Sequence, residues 1–138
     1  MEEWLKNVPG AQALFDWFGY WPSFHDAEVL SVHLNRTGTS TVQAHTWEMT
    51  DKVDARGFFV CRKHCVVTFE VEELAGMDLA HFNNQNALSN LDFYKKDSEF
   101  VLDFAPAHGL QGTVRAKKVS IQLTPGIPSD SQYKEQED

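Results

Sequence analysis

The sequence predicts an α+β fold, an N-terminal helix packed on an antiparallel sheet of about six strands. Three observations predict it. Ala11, Leu14, Phe15 and Phe18 recur at i, i+3, i+4 and i+7, one face of a helix. From Leu30 onward the apolar period falls to two. The links between period-two segments are short, and short links join antiparallel neighbours because parallel pairs need long crossovers. A small barrel is the alternative arrangement of the same elements.

Taken in order, Trp4, Leu5 and Val8 belong to a turn before the helix. Pro9 suits its first turn, and Gly19 supplies a left-handed stop. Pro22 disfavours helix at Trp21 and forces an exit. In the first strand Leu30, Val32 and Leu34 share one parity; RTGTS then turns the chain at Arg36–Ser40. The second strand covers Thr41 to Met49, followed by the polar loop DKVDARG. The third runs from Phe59 to Glu72, with Cys65, Val67, Phe69 and Val71 on one side. Leu74 to Asn86 reads as irregular. Leu91 and Phe93 mark a fourth strand, and Phe100, Leu102 and Phe104 a fifth. Ala105 to Gly112 reads as a loop. The sixth strand spans Thr113 to Leu123, and its apolar parity breaks between Ala116 and Val119, which one extra residue near Lys117–Lys118 would repair.

The 138 residues suit one domain, expected over residues 1–124, with 42% hydrophobic side chains to fill a core. From residue 125 the chain reads PGIPSDSQYKEQED, expected to be a flexible acidic tail. No apolar run reaches the roughly 20 residues of a membrane helix, and the start MEEWLKNVPG lacks a basic, then apolar leader. A soluble, cytoplasmic protein is therefore expected.

Twenty acids against twelve bases give a formal charge of −8. That field repels nucleic acid, and the bases are scattered, so nucleic acid is not an expected partner. An acidic surface favours basic protein partners, or serves solubility alone. Cys61 and Cys65 lie in CRKHC. On a straight strand they stand roughly 13 Å apart, beyond the roughly 7 Å of a disulfide. Alternation sets His64 on the other face, and no second Cys/His pair follows at zinc spacing, so two free thiols are expected and no metal.

The most unusual local stretch is FGYWPSFHDAEV, Phe18 to Val29. Asp26 and Glu28 share the parity of Leu30 and Val32. With His25 they offer an acid/base or metal set, and His33 and His45 would oppose each other across a five-residue hairpin turn. The structural reading is that the acids hold backbone N–H groups, an indole N–H or an arginine where helix meets sheet. No nucleophile elbow, phosphate loop or HExxH lies elsewhere.

FGYWPSFHDAEV, followed by SVHLNR and later QNALSNLDF, resembles immunity protein family 50 of bacterial polymorphic toxin systems. The resemblance runs from the first helix through about Phe104 and carries the motif onto Trp21, Pro22, Phe24, His25, Asp26 and Glu28. It implies a small cytoplasmic α+β protein that binds and neutralises a cognate toxin domain, without turnover or cofactor. A basic nuclease would suit the acidic charge. The acids expected to meet it are Asp51, Asp54, Glu70 and Glu72, with Trp17 and Tyr20 as aromatic anchors off the helical stripe. A small enzyme or metal-binding protein using His25, Asp26 and Glu28 is the alternative, and a module that homo-oligomerises through a sheet edge is a third.

Overall fold

Two short helices, α1 (Glu3–Lys6) and α2 (Ala11–Phe18), precede six strands. These are β1 (Glu28–His33), β2 (Ser40–Val53), β3 (Phe59–Ala80), β4 (Ala87–Lys96), β5 (Glu99–His108) and β6 (Gln111–Pro125). The computed structural model of the protein describes residues 1–131 and 133.

The helix forms where its apolar spacing demands. Ala11, Leu14 and Phe18 are buried, and Gly19 closes α2 in the left-handed conformation, its N–H bonding the Phe15 carbonyl. Gly10 opens it at φ 87°, and a Cβ there would collide with the Ile121 carbonyl of β6. The Ile121 N–H in turn donates to the Pro9 carbonyl at 2.8 Å, so the helix entry is stitched to β6. One apolar cluster joins Leu14 and Phe18 to Val67, Phe69, Leu102 and Phe104 from the strands.

All strand pairs are antiparallel, in the order β1-β2-β3-β6-β5-β4, and the sheet closes on itself as a barrel. Closure depends on the FHDAE stretch. The Asp26 N–H donates to the Leu88 carbonyl, the Leu88 N–H to Ala27, the Val29 N–H to Asn86 and the Leu91 N–H to Ser23. Both sheet edges are thereby paired at the seam, which removes the exposed edge an open sheet would carry. The expected α+β class holds, with the sheet taking its barrel alternative.

Three of the sheet's register shifts, in β1 and β3, reset which side chains face inward. β1 and β2 slip register between Val29 and Ser31, with Leu30 as the extra residue. Val29 and Val32 therefore face the core, opposite Ala44 and Val42, and Glu28 does not share their face. The single parity expected for Leu30, Val32 and Leu34 fails for this reason. β3 carries an extra residue opposite Trp47, where Lys63 takes φ 56°. It carries another between Leu74 and Gly76, near Glu73 at φ 56°.

That last insertion keeps β3 paired with β6 out to Ala80–Gln111, where an irregular stretch was expected. The parity break in β6 is present, with Val114, Ala116, Val119 and Ile121 buried and both Lys117 and Lys118 exposed. The register there is unbroken, however, and the extra residue sits on β3 instead. β5 likewise continues to His108 through the expected loop.

The segment expected to fray from residue 125 packs in its described part. The Gly126 N–H donates to the His64 carbonyl at 2.8 Å, and Ser131 is 3% exposed. The cause is a bulged β3 whose His64 carbonyl finds its donor there. Residues 132 and 134–138 of that expectation lie outside the described residues.

Candidate functional site

A polar cluster lies on the face of β2 turned away from Ala44 and Val67. Glu28 of β1 pairs directly with His45 of β2, so their side chains project together. His45 Nδ1 donates to Glu28 Oε1 at 2.6 Å. His45 Nε2 lies 2.9 Å from His64 Nδ1. The Ser131 hydroxyl donates to the same Glu28 oxygen at 2.6 Å, across 103 residues of sequence. A carboxylate only accepts, so the proton of His45 sits on Nδ1. With both rings neutral, His64 Nδ1–H then donates to His45 Nε2.

Alternation from the His45–Val66 pair puts His64 on the His45 face, opposite Cys65 as expected; the bulge moves Cys61 instead. A regular β3 would keep Cys61 on the face of Cys65; the extra residue at Lys63 sets Cys61 opposite Met49 on the other face, so the shared face expected for the two thiols fails. The carbonyls freed by the bulge are satisfied. Trp17 Nε1–H donates to Lys63 at 2.8 Å, and Gly126 N–H to His64. Rings close the site: Tyr133 stands 4.4 Å from Trp47, and Trp47 4.8 Å from His45, centroid to centroid. Both histidines are fully buried, while Glu28 also borders a polar cavity of about 610 Å³ with Phe82, Asn83, Gln85 and Asp130.

The arrangement is a proton-competent chain, Ser131–Glu28–His45–His64. Its evident work is to fasten the C-terminal segment to three strands through charge-assisted bonds. Among the described residues, no three His, Cys, Asp or Glu side chains are set to hold a metal ion.

The sequence-predicted residues are only partly brought together. Glu28 and His45 meet. His33 pairs with Thr41 rather than opposing His45, because the turn-side register runs Ser31–Gln43, Val32–Val42, His33–Thr41, four positions short of His45. His25 is exposed and donates from Nδ1 to the Ser89 carbonyl at 2.9 Å; its Nε2 is 3.5 Å from Asp26. Phe24 and Asp26 take φ 62° and 64°. Asp tolerates that conformation, whereas Phe24 is held in it by burial against Phe69. Pro22 is buried, and Trp21 stacks on Phe93 at 6.3 Å. The motif thus makes the barrel seam.

Nor do the candidate acids form one face. Glu70 pairs with Thr41, while Asp51 lies ten positions further along β2, roughly 30 Å at the rise of a strand. Asp54 belongs to its own turn. It accepts the N–H groups of Arg56 and Phe58, and the Phe58 bond holds its carboxyl below the ordinary value of 3.8. Glu70 and Glu72 border a groove of about 380 Å³ beside Trp4, Lys95, Lys117 and Lys118. Lysines therefore dilute that acidity, and Glu72 is paired across the ladder with Lys118.

Of the aromatic candidates, Trp17 is half-buried and spends its N–H on the bulge. Tyr20 is exposed and donates to Glu48 Oε2 at 3.0 Å. Glu48 also accepts from Arg62 at 2.7 Å, which lowers its pKa, while burial and this carboxylate raise that of Tyr20. Cys61 and Cys65 are buried and in no disulfide, and burial pushes the Cys61 thiol up. Ser131, His64 and Tyr133 were missed as members of a site. The face of His64 follows from alternation, but its meeting with His45 needs the β2–β3 register, and Ser131 and Tyr133 need the return of the C-terminal segment.

No helix among the described residues is long and apolar enough to cross a membrane. No curated protein and no solved structure matches the chain. The family model described as Immunity protein 50 matches residues 10–125, from the start of α2 to the end of β6. With the FHDAE stretch forming the barrel seam inside that match, the chain belongs to the Immunity protein 50 family.

Proposed function

We propose that the protein binds a cognate toxin domain in the cytoplasm and neutralises it by occupying its surface, with no turnover of its own. The observation that carries this reading is the family match across residues 10–125, which spans the whole barrel. The geometry supports it in two ways. The buried Glu28–His45–His64–Ser131 chain is spent on fastening the fold, and the motif residues His25 and Asp26 cap a seam rather than surround a reactive atom. The charge of −8 suits a basic partner, such as a nuclease, through steering of the encounter. Asp51, Glu70 and Glu72 add to that long-range field from separate places on the strands, and Tyr20 stands exposed beside Glu48 as a candidate contact.

The test is co-expression with the toxin domain encoded beside its gene, together with association kinetics at two ionic strengths. Rescue of growth, and an association rate that falls as salt rises while dissociation changes less, are expected. A toxin that neither binds nor is neutralised overturns the reading.

A further inference from the structure

The β2–β3 hairpin runs on beyond the barrel. β1 accompanies β2 only to the Glu28–His45 pair, and β6 accompanies β3 only to the Cys65–Pro125 pair. From there to the turn at residues 54–58 the two strands pair with each other. Met49 lies opposite Cys61, and Val53 opposite Phe59. Cys61 and Phe59 alternate along β3, so these four side chains share one face. Cys61 is buried, whereas Met49, Phe59 and Val53 are 50%, 53% and 57% exposed. An apolar face that starts under cover continues into solvent, and Phe58, 62% exposed, stands beside it at the turn. Clustered exposed apolar side chains of this kind mark interaction surfaces.

Charges on the hairpin are largely spent internally. Arg62 pairs with Glu48 at 2.7 Å and Arg56 with Asp54 at 3.8 Å. The tip is thus apolar and near neutral inside a chain of charge −8. Three occupants are conceivable. Residues 134–138, KEQED, carry no apolar side chain with which to cover it. A second copy would bring another −8 against the first. A basic protein surface with an apolar patch is drawn by the −8 of the chain as a whole and can seat that patch on the tip.

Resting on the immunity reading above, we infer that Met49, Val53 and Phe59 are the anchor on which the toxin domain docks, the net acidity of the chain serving its approach.

The test uses the full chain and the purified toxin domain encoded beside its gene. The Val53→Ser/Phe59→Ser double variant is compared with Tyr94→Ser, an exposed aromatic on β4. The wild type is expected to be monomeric by light scattering. The double variant should keep its thermal midpoint and bind about 100-fold more weakly, mainly through faster dissociation, with Tyr94→Ser within about twofold. Should the double variant unfold, Met49→Ser alone is expected to weaken binding about 10-fold. A folded double variant that binds like wild type overturns the anchor and leaves the immunity reading intact. Wild type that fails to bind overturns both. A wild-type dimer that the double variant splits overturns it in favour of self-association.

Discussion

His45 and His64, nineteen residues apart in sequence, join ring to ring at 2.9 Å, both fully buried. His64 lies two residues from Val66, the cross-strand partner of His45, and so shares the face where His45, through Glu28 and Ser131, grips the C-terminal segment. Burying two imidazoles and a carboxylate is costly unless every polar atom is satisfied, and this chain of bonds supplies the partners.

Glu28 and Asp26 should therefore differ sharply although they lie two residues apart. Glu28→Ala strands the Ser131 hydroxyl and His45 Nδ1–H, and is expected to lower stability by about 2–3 kcal/mol. Asp26→Asn keeps a residue that tolerates φ 64° at a half-buried site, and should stay within about 0.5 kcal/mol. Urea melts of the two variants decide. Equal midpoints would refute the distinction.

The C-terminal segment is expected to matter for folding. A chain ending at Pro125 loses the Gly126 and Ser131 bonds and the Tyr133 ring over Trp47. Its stability should fall by more than about 1 kcal/mol, and Ser131→Ala alone by about 1 kcal/mol. Calorimetric melts of the truncated and full chains check this; coincident melts would show the contacts to be passive.

Gly10 is expected to tolerate no side chain. Its φ of 87° is unfavourable for L residues, and an added Cβ would meet the Ile121 carbonyl, which is backbone and cannot swing aside. Gly10→Ala should cost about 2 kcal/mol or more, whereas Gly19→Ala, with open space around it, bears only the conformational cost of about 1 kcal/mol. Chemical denaturation of both variants separates steric from conformational strain.

Acid should loosen the hairpin base. The Arg62 hydrogen bond holds Glu48 below its ordinary value of 4.5, with Tyr20 adding to it and burial opposing it. A carboxyl whose pKa is lower folded than unfolded stabilises the fold above the unfolded value. That contribution is lost as pH falls through the folded one. Because Arg62 is largely exposed, the gain is expected to be under about 1 kcal/mol. Melts at pH 7 and pH 3 should show a smaller acid loss for Glu48→Gln than for wild type; an equal loss would assign the acid sensitivity elsewhere.

How much was legible follows from which signals are local. The α2 stripe, the Gly19 stop, six strands in order and the FHDAE stretch all rest on signals within a few residues of themselves, and each is present, although β3 and β5 run beyond their expected ends and the β1 parity fails. Glu28 and His45 were both visible as chemistry-bearing residues, but their pairing was not, because His33 looked equally able to oppose His45.

By itself, then, the sequence determined the element order, the α+β class and the family, since periodicity and a contiguous motif need no distant partner. Tertiary structure alone decided the faces. Bulges at Leu30, Lys63 and Ala75 each insert one residue, only the last beside a glycine, and one residue exchanges the two faces of a strand. Their positions are chosen by long-range register. Closing the barrel pins β1 to β4, helix α2 supplies Trp17 to one freed carbonyl, and the C-terminal segment supplies Gly126 to the next. Satisfying those backbone groups and burying both histidines is a condition on residues up to 103 positions apart, and no window of sequence contains it.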